Sequence, residues 1–140
     1  MAKRIAVITG GMGGLGESIS TKMHDAGFNV VVTHSPANTK AAAWVTDYKS
    51  KGYSFAAYGV DVADYESCQA CVAKVQREVG PVDILINNAG ITRDMTFKKM
   101  TKADWDMVIP PISTARSTWR SRFATAWSSV AGGESSTCLR

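Results

Sequence analysis

The sequence predicts an α/β protein built on a doubly wound parallel sheet. Three observations lead there. Short apolar runs alternate with helical stretches along residues 4–109. The clearest of these runs is β-branched without alternation, as in a strand buried on both faces. A glycine cluster, Gly10-Gly11-Met12-Gly13-Gly14-Leu15-Gly16, stands between the first run and the first helical stretch.

Residues 4–9, Arg-Ile-Ala-Val-Ile-Thr, have strand length. After the glycines, Leu15, Ile19 and Met23 recur every fourth residue and give a helix over about 15–26 one apolar face. Gly27 stops that helix. Residues 29–33, Asn-Val-Val-Val-Thr, form the β-branched second strand. Ser35 and Pro36 offer a cap and a first-turn proline for a second helix, running to about residue 51 before Gly52. Residues 53–60 form a third strand. Asp61-Val62-Ala63-Asp64 leads into a helix through Val79, where Cys71, Val72 and Val75 supply apolar positions. Gly80-Pro81 punctuates, and residues 82–86 form a fourth strand. Thr101 and Asp104 make an imperfect capping box for a helix holding Trp105 and Val108. Right-handed crossovers turn this order into a Rossmann-like arrangement of about four strands with flanking helices.

Composition narrows the function classes. The 140 residues are 45% apolar and 20% charged, which fits a globular chain of one domain at most. No apolar run approaches the roughly 20 residues of a membrane helix. The basic start, Lys3-Arg4, is followed by too short an apolar stretch for a signal peptide, so a cytoplasmic protein without a membrane partner is expected. The net charge is +4, but residues 1–109 hold 12 Lys/Arg against 11 Asp/Glu. The rest of the basic excess lies in Arg116, Arg120, Arg122 and Arg140, opposed by Glu134. The balanced part carries no electrostatic footprint for nucleic acid, and none is expected as a partner.

Cys68-Gln69-Ala70-Cys71 has CxxC spacing, and Cys138 is the third cysteine. A redox pair would open a helix just after a strand, whereas this pair sits inside a helical stretch. With His24 and His34 the chain shows no recognisable metal spacing. Cys68 and Cys71 share one helix face and read as small core residues, with no metal expected.

The glycine turn carries the chemistry. Glycines let a backbone bend tightly and approach a pyrophosphate, and the N–H groups of the following helix then face the anion. Two patterns overlap here: Gly11-x-Gly13-x-x-Gly16, and Thr9-Gly10-x-x-x-Gly14-x-Gly16. The glycines alone do not choose between them. Asn87-Asn88-Ala89-Gly90, just after the fourth strand, does choose. With both motifs at this separation, residues 1–109 resemble the short-chain dehydrogenase/reductase family, and the chain then represents the N-terminal half of that fold.

The resemblance implies a nicotinamide dinucleotide held by Gly10, Gly11, Met12, Gly13, Gly14, Leu15 and Gly16. On the adenine side it implies Val60, Asp61 and Val62, and past the fourth strand Asn88, Ala89, Gly90, Ile91 and Thr92. An acid at the end of the second strand would hold a ribose 2′-OH and repel a 2′-phosphate. His34-Ser35 stands there, no carboxylate lies between Asp25 and Asp47, and Lys40 follows. NADPH is therefore expected over NADH, with Lys40 near the 2′-phosphate. Gly90-Ile-Thr-Arg-Asp94 and Phe97-Lys-Lys-Met100 are similar to the β-ketoacyl reductases. That branch implies hydride transfer from NADPH to the 3-keto carbon of an acyl thioester. The opening stretch and residues 90–105 are most similar to the members that reduce acetoacetyl-CoA for polyhydroxybutyrate synthesis. Reduction of an acyl-carrier-protein thioester and a non-catalytic nucleotide-binding fragment are the alternatives. Asp94 and Lys99 would then sit near the acyl-CoA. Homotetramers are usual in the intact family, but the helices forming that contact lie beyond the resembling region.

The family's catalytic Asn, Ser, Tyr and Lys are not found. Residues four beyond Tyr48, Tyr53, Tyr58 and Tyr65 are Gly52, Ala57, Val62 and Gln69, so no Tyr-x-x-x-Lys exists. Pro110-Pro111-Ile112 stands where the family has Thr-Asn-Leu. Residues 110–140 are rich in Ser, Thr and Arg and lack an apolar period, as an irregular tail does. Codons allowed from Pro110 onward, read two bases out of frame, can spell Thr-Asn-Leu-Asp-Ser-Ala-Phe-Asn-Val, which resembles the family's continuation. A shifted reading frame near Ile109 is the expectation, leaving a marginally stable and inactive product. Sequencing the DNA around codon 110 is expected to show that continuation in the offset frame; an offset frame without it removes the idea.

Overall fold

The β-branched runs become strands because helices cover both faces of one sheet. The computed structural model describes residues 3–90 together with 102 and 103. In chain order the elements are β1 (Ile5–Ile8), α1 (Gly14–Asp25), β2 (Asn29–His34), α2 (Ala41–Ser50), β3 (Phe55–Gly59), α3 (Tyr65–Glu78) and β4 (Ile84–Ile86). All neighbouring strands are parallel, in the order β3-β2-β1-β4. The chain steps outward from β1 to β3 and then crosses back to place β4 on the other side of β1. The direction of winding therefore reverses at β1, and a crevice opens at the carboxyl ends of β1 and β4.

The two faces divide alternate side chains of the same strands. Val7 and Val31 pack with Cys68, Cys71, Val72 and Val75 of α3. Ile8, Val30 and Val32 pack on the opposite side with Tyr48 of α2 and Phe55, and with Ile19 and Met23 of α1. Both faces being apolar, the sequence of β2 shows no alternation. Cys68 and Cys71 are core residues as expected, and burial pushes the Cys71 thiol up to about 11. Cys138 lies outside the described residues.

Local chemistry sets the element ends. The Asp64 carboxylate accepts the N–H groups of Glu66 and Ser67 and caps α3. After α1 the chain turns through Gly27 at φ +89, with Gly27 N–H donating to His24 O and Phe28 N–H to Met23 O. At the amino end of β4, Asp83 Oδ2 accepts Ile5 N–H at 2.7 Å and Asp83 N–H donates to Ile5 O at 2.9 Å. These paired bonds fix the register of β4 on β1.

One expected helix start is corrected. The second helix was expected from Ser35, but α2 begins at Ala41. Residues 35–40 form turns instead. Ser35 Oγ accepts Ala37 N–H, Ser35 O accepts Asn38 N–H, and Asn38 Oδ1 accepts Lys40 N–H. Serine and asparagine supply these bonds locally, so the backbone gains nothing there from a helical ladder. The helix expected after residue 101 lies outside the described residues, save for 102 and 103. Among the described residues no helix is long and apolar enough to cross a membrane.

α1 and α2 meet through one carboxylate. Trp44 Nε1 donates to Glu17 Oε2 at 3.1 Å, and the Tyr48 hydroxyl is a second donor to Glu17. These bonds, Tyr48's first, hold the Glu17 carboxyl below its ordinary 4.5. A depressed carboxyl contributes stability above its unfolded value and loses it as pH falls through the folded value. In urea unfolding, E17Q is expected to lie below the parent at neutral pH, because charge-assisted bonds exceed neutral ones. The gap should close as pH falls below 4.5. A gap independent of pH would contradict this.

Candidate functional site

Every strand of a parallel sheet ends on the same side, and the glycine turn leaves β1 there. Gly10 adopts φ +64, a backbone conformation that disfavours any side chain with a Cβ. Its N–H donates to Thr33 Oγ1 at 3.3 Å, and Gly11 N–H donates to Thr33 O at 3.2 Å. The end of β2 thus grips the turn from one side. From below, Ser20 Oγ of α1 lies 2.8 Å from Gly16 O and 3.2 Å from Gly11 O.

The third grip comes from the turn after β4. Asn88 Nδ2 donates to Thr9 O at 3.2 Å and to Gly10 O at 3.1 Å. Thr9 Oγ1 accepts the N–H groups of Asn88 and Ala89, both at 3.0 Å. The same hydroxyl lies 3.4 Å from Ile86 O as its acceptor. One amide and one buried hydroxyl therefore tie the carboxyl ends of β1 and β4 together at the crevice.

The geometry decides between the two overlapping glycine patterns. A Cβ on Gly16 would collide with Gly10 O and come within 2.6 Å of Asn88 Nδ2. Gly13 adopts φ −107, and a Cβ there would meet nothing within 4 Å. Gly10 and Gly16 are thus required by the backbone and Gly13 is not. This is the Gly10-x-x-x-Gly14-x-Gly16 spacing, with Gly14 at φ +22 opening α1. Gly13, the cap residue of α1, has no side chain to satisfy the first N–H groups of the helix. Those donors and the positive end of the helix dipole are offered to an anion.

A cleft of about 680 Å³ lies over these turns. Among the residues expected at a coenzyme, Gly10, Gly13, Gly14, Leu15 and Gly16 form one wall. Val60, Asp61 and Val62 form another, and Asn88, Ala89 and Gly90 the third. Leu15 is 71% exposed at the mouth.

Three expected contacts are not among the residues that line the cleft. A Cβ on Gly11 would come within 2.6 Å of Val32 Cγ1, so the core excludes a side chain there. Met12 packs on the core beside α1 and α2 and lies 3.9 Å by its sulfur from Asn38 Nδ2. Lys40 is exposed at the cap of α2 and is not among the residues that line the cleft. Ile91, Thr92, Asp94 and Lys99 lie outside the described residues.

Thr33, His34, Ser35 and Ala63 also line the cleft and were not among the expected contacts. Thr33 had a legible signal: it stands near the carboxyl end of a central strand, where ligands bind in such sheets. Among the described residues no group of three or more His, Cys, Asp or Glu side chains is placed to hold a metal ion.

Comparison with known proteins agrees with this geometry. The model of the short chain dehydrogenase family matches residues 4–115. An acetoacetyl-CoA reductase of Cupriavidus necator is 49% identical over 109 residues, covering 78% of this chain and 44% of that protein. A nodulation protein G of Azospirillum brasilense matches with the same identity and coverage. This chain therefore spans less than half the length of these relatives. Among solved structures, a gluconate 5-dehydrogenase from Burkholderia cenocepacia in complex with NADP and tartrate superposes with a TM-score of 0.77 at 26% identity. That match covers 89% of this chain and 49% of the other.

The close approach at Gly16 yields a contrast in stability. G16A is expected to lower the unfolding free energy by about 1–3 kcal/mol, since the turn must open and Asn88 loses acceptors. G13S is expected to be neutral or stabilising, because serine suits a helix cap and has room. Thermal unfolding of the two variants checks this, and equal losses would contradict it.

Proposed function

The chain belongs to the short-chain dehydrogenase family, and from that premise we propose that it is the coenzyme-binding portion of an NADPH-dependent reductase of acetoacetyl-CoA. The single observation that carries this reading is the crevice at β1 and β4, where Gly10, the first turn of α1 and the Asn88 amide converge. Its shape and donors suit the diphosphate of a dinucleotide.

Each wall has a task in this reading. Free N–H groups at the start of α1 bind the diphosphate. Asp61 and Val62 meet the adenine, whose exocyclic amine is a donor and whose neighbouring ring nitrogen is an acceptor. At the end of β2, His34 and Ser35 stand where an acid would repel a 2′-phosphate. This absence of negative charge supports NADPH over NADH. Lys40, exposed at the cap of α2, is the nearest cation along the chain and is proposed to pair with the 2′-phosphate. Ala89 and Gly90 leave room for the coenzyme beside the Asn88 brace.

When bound, the reduced nicotinamide supplies a hydride for the 3-keto carbon of the thioester. The residues expected to meet that substrate, Asp94 and Lys99, lie outside the described residues. No Tyr-x-x-x-Lys exists in the sequence to deliver the matching proton. The 140-residue chain is thus proposed to bind coenzyme without turnover, with residues 1–109 as the binding portion and residues 110–140 read out of frame. The cytoplasm is the compartment this reading implies.

Calorimetry on the full chain tests the proposal. NADPH is expected to bind about tenfold or more tightly than NADH, the worth of one charge-assisted contact. Heat with neither coenzyme overturns the reading, and equal affinities overturn the preference for NADPH. Adding acetoacetyl-CoA to the NADPH-loaded chain is expected to leave the nicotinamide reduced. Oxidation would overturn the proposed lack of turnover.

A further inference from the structure

Asp61 is held more tightly than a loop residue on a cleft wall needs to be. Its N–H donates to Ser67 Oγ at 3.0 Å. Its carbonyl accepts Asp64 N–H at 3.2 Å and lies 3.5 Å from Cys68 Sγ. Its own carboxylate is divided, with Oδ1 accepting Ala63 N–H at 2.9 Å. Just before it, Val60 N–H donates to His34 O at 2.9 Å and continues the sheet ladder. The start of α3 thus fixes Asp61 at both its N–H and its carbonyl.

Ser67 makes the unusual contact in this set. It occupies the third position of α3, and its own N–H donates to Asp64 Oδ2 at 3.3 Å. In a capping box the side chain at this position reaches back to the cap residue's N–H. The Ser67 hydroxyl reaches past the cap to Asp61 instead. It is half-buried, does not line the cleft, and touches the cleft wall through Asp61 alone among the described bonds.

We propose that Ser67 is a positioning residue that sets the base preference of this site, by presenting the Asp61 carboxylate and the adjoining Val62 N–H as a matched acceptor and donor for a 6-aminopurine. With Oδ1 committed to Ala63, Oδ2 is the oxygen left to accept the exocyclic amine. A 6-oxopurine offers an acceptor there and meets the carboxylate lone pairs unpaired. Without the Ser67 acceptor the Asp61 N–H loses its anchor, its carboxylate is held less firmly, and the two bases become less distinct. This inference rests on the dinucleotide reading above.

The test compares affinities of the full chain for NADPH and for its hypoxanthine analogue, measured by calorimetry. The parent is expected to prefer the adenine coenzyme by about tenfold, the worth of one buried polar mismatch. S67A is expected to reduce that preference to about two- to threefold, and S67T, which keeps the hydroxyl, to restore it. D61N keeps an acceptor for Ala63 N–H and turns a donor outward, so it is expected to bring the ratio to or below one. Should S67A not fold, S67C keeps the size, offers only a weak sulfur acceptor and reads the same ratio. A purely structural role for Ser67 would weaken both coenzymes equally and leave the ratio at the parent value; that result overturns the proposal. A parent that binds both coenzymes equally overturns it too while leaving the dinucleotide reading intact. A parent that binds neither removes both.

Discussion

The bend at residues 10–13 is built largely from glycine and cannot hold its own shape. Neighbours must hold it, and they do so with side chains that are otherwise rare in this interior. Among the described residues three polar side chains are buried: Thr9, Ser20 and Thr33. All three bond to the glycine turn or to the Asn88 turn beside it. A buried hydroxyl without a partner costs about 1–3 kcal/mol, so each of these is stable only while the turn keeps its place. The turn and its buried partners therefore specify one another.

This mutual dependence explains the position of the site. Parallel pairing brings the ends of β1, β2 and β4 to one edge, and the reversal of winding at β1 leaves a crevice there rather than a covering helix. Each strand end then supplies one grip: Thr9 from β1, Thr33 from β2 and the Asn88 turn after β4. The β3 end contributes differently. Its following turn is tied to α3 through Ser67, Asp64 and Cys68, so the wall at Asp61 is set by a helix on the opposite face of the sheet from α1.

Much of this was legible from residue types and spacing. The strands followed from Ile-Ala-Val-Ile and Val-Val-Val, because burial on two faces leaves no polar register. The entry to α3 followed from residues 61–64, where Asp64 supplies the cap. What failed did so for local reasons. Ser35 and Pro36 look like a helix start, but Ser35 and Asn38 close tight turns that delay α2 to Ala41. Gly11 reads as part of a phosphate loop, and its missing Cβ also makes room for Val32 in the core. A glycine says only that a side chain is excluded, and whether a ligand or a neighbour excludes it depends on a strand about twenty residues away. Thr33 illustrates the converse: its place near a strand's carboxyl end was legible, but its bonds to Gly10 and Gly11 appear only when β2 is laid beside β1.

The placement of Glu17 completes the electrostatic argument. A carboxylate in the first turn of α1 is favourable to the helix dipole but unfavourable to an anion bound at the same end. Its charge is drawn away from the cleft by Trp44 and Tyr48 of α2, which hold it in the contact between the two helices. The first-turn N–H groups face the crevice while the acid faces the neighbour. α1 thus keeps a stabilising acid without presenting it to a diphosphate. Because the turn is already held on three sides, binding need not order it. Little affinity is then lost to loop entropy, which is the advantage of a preformed anion site over a mobile one.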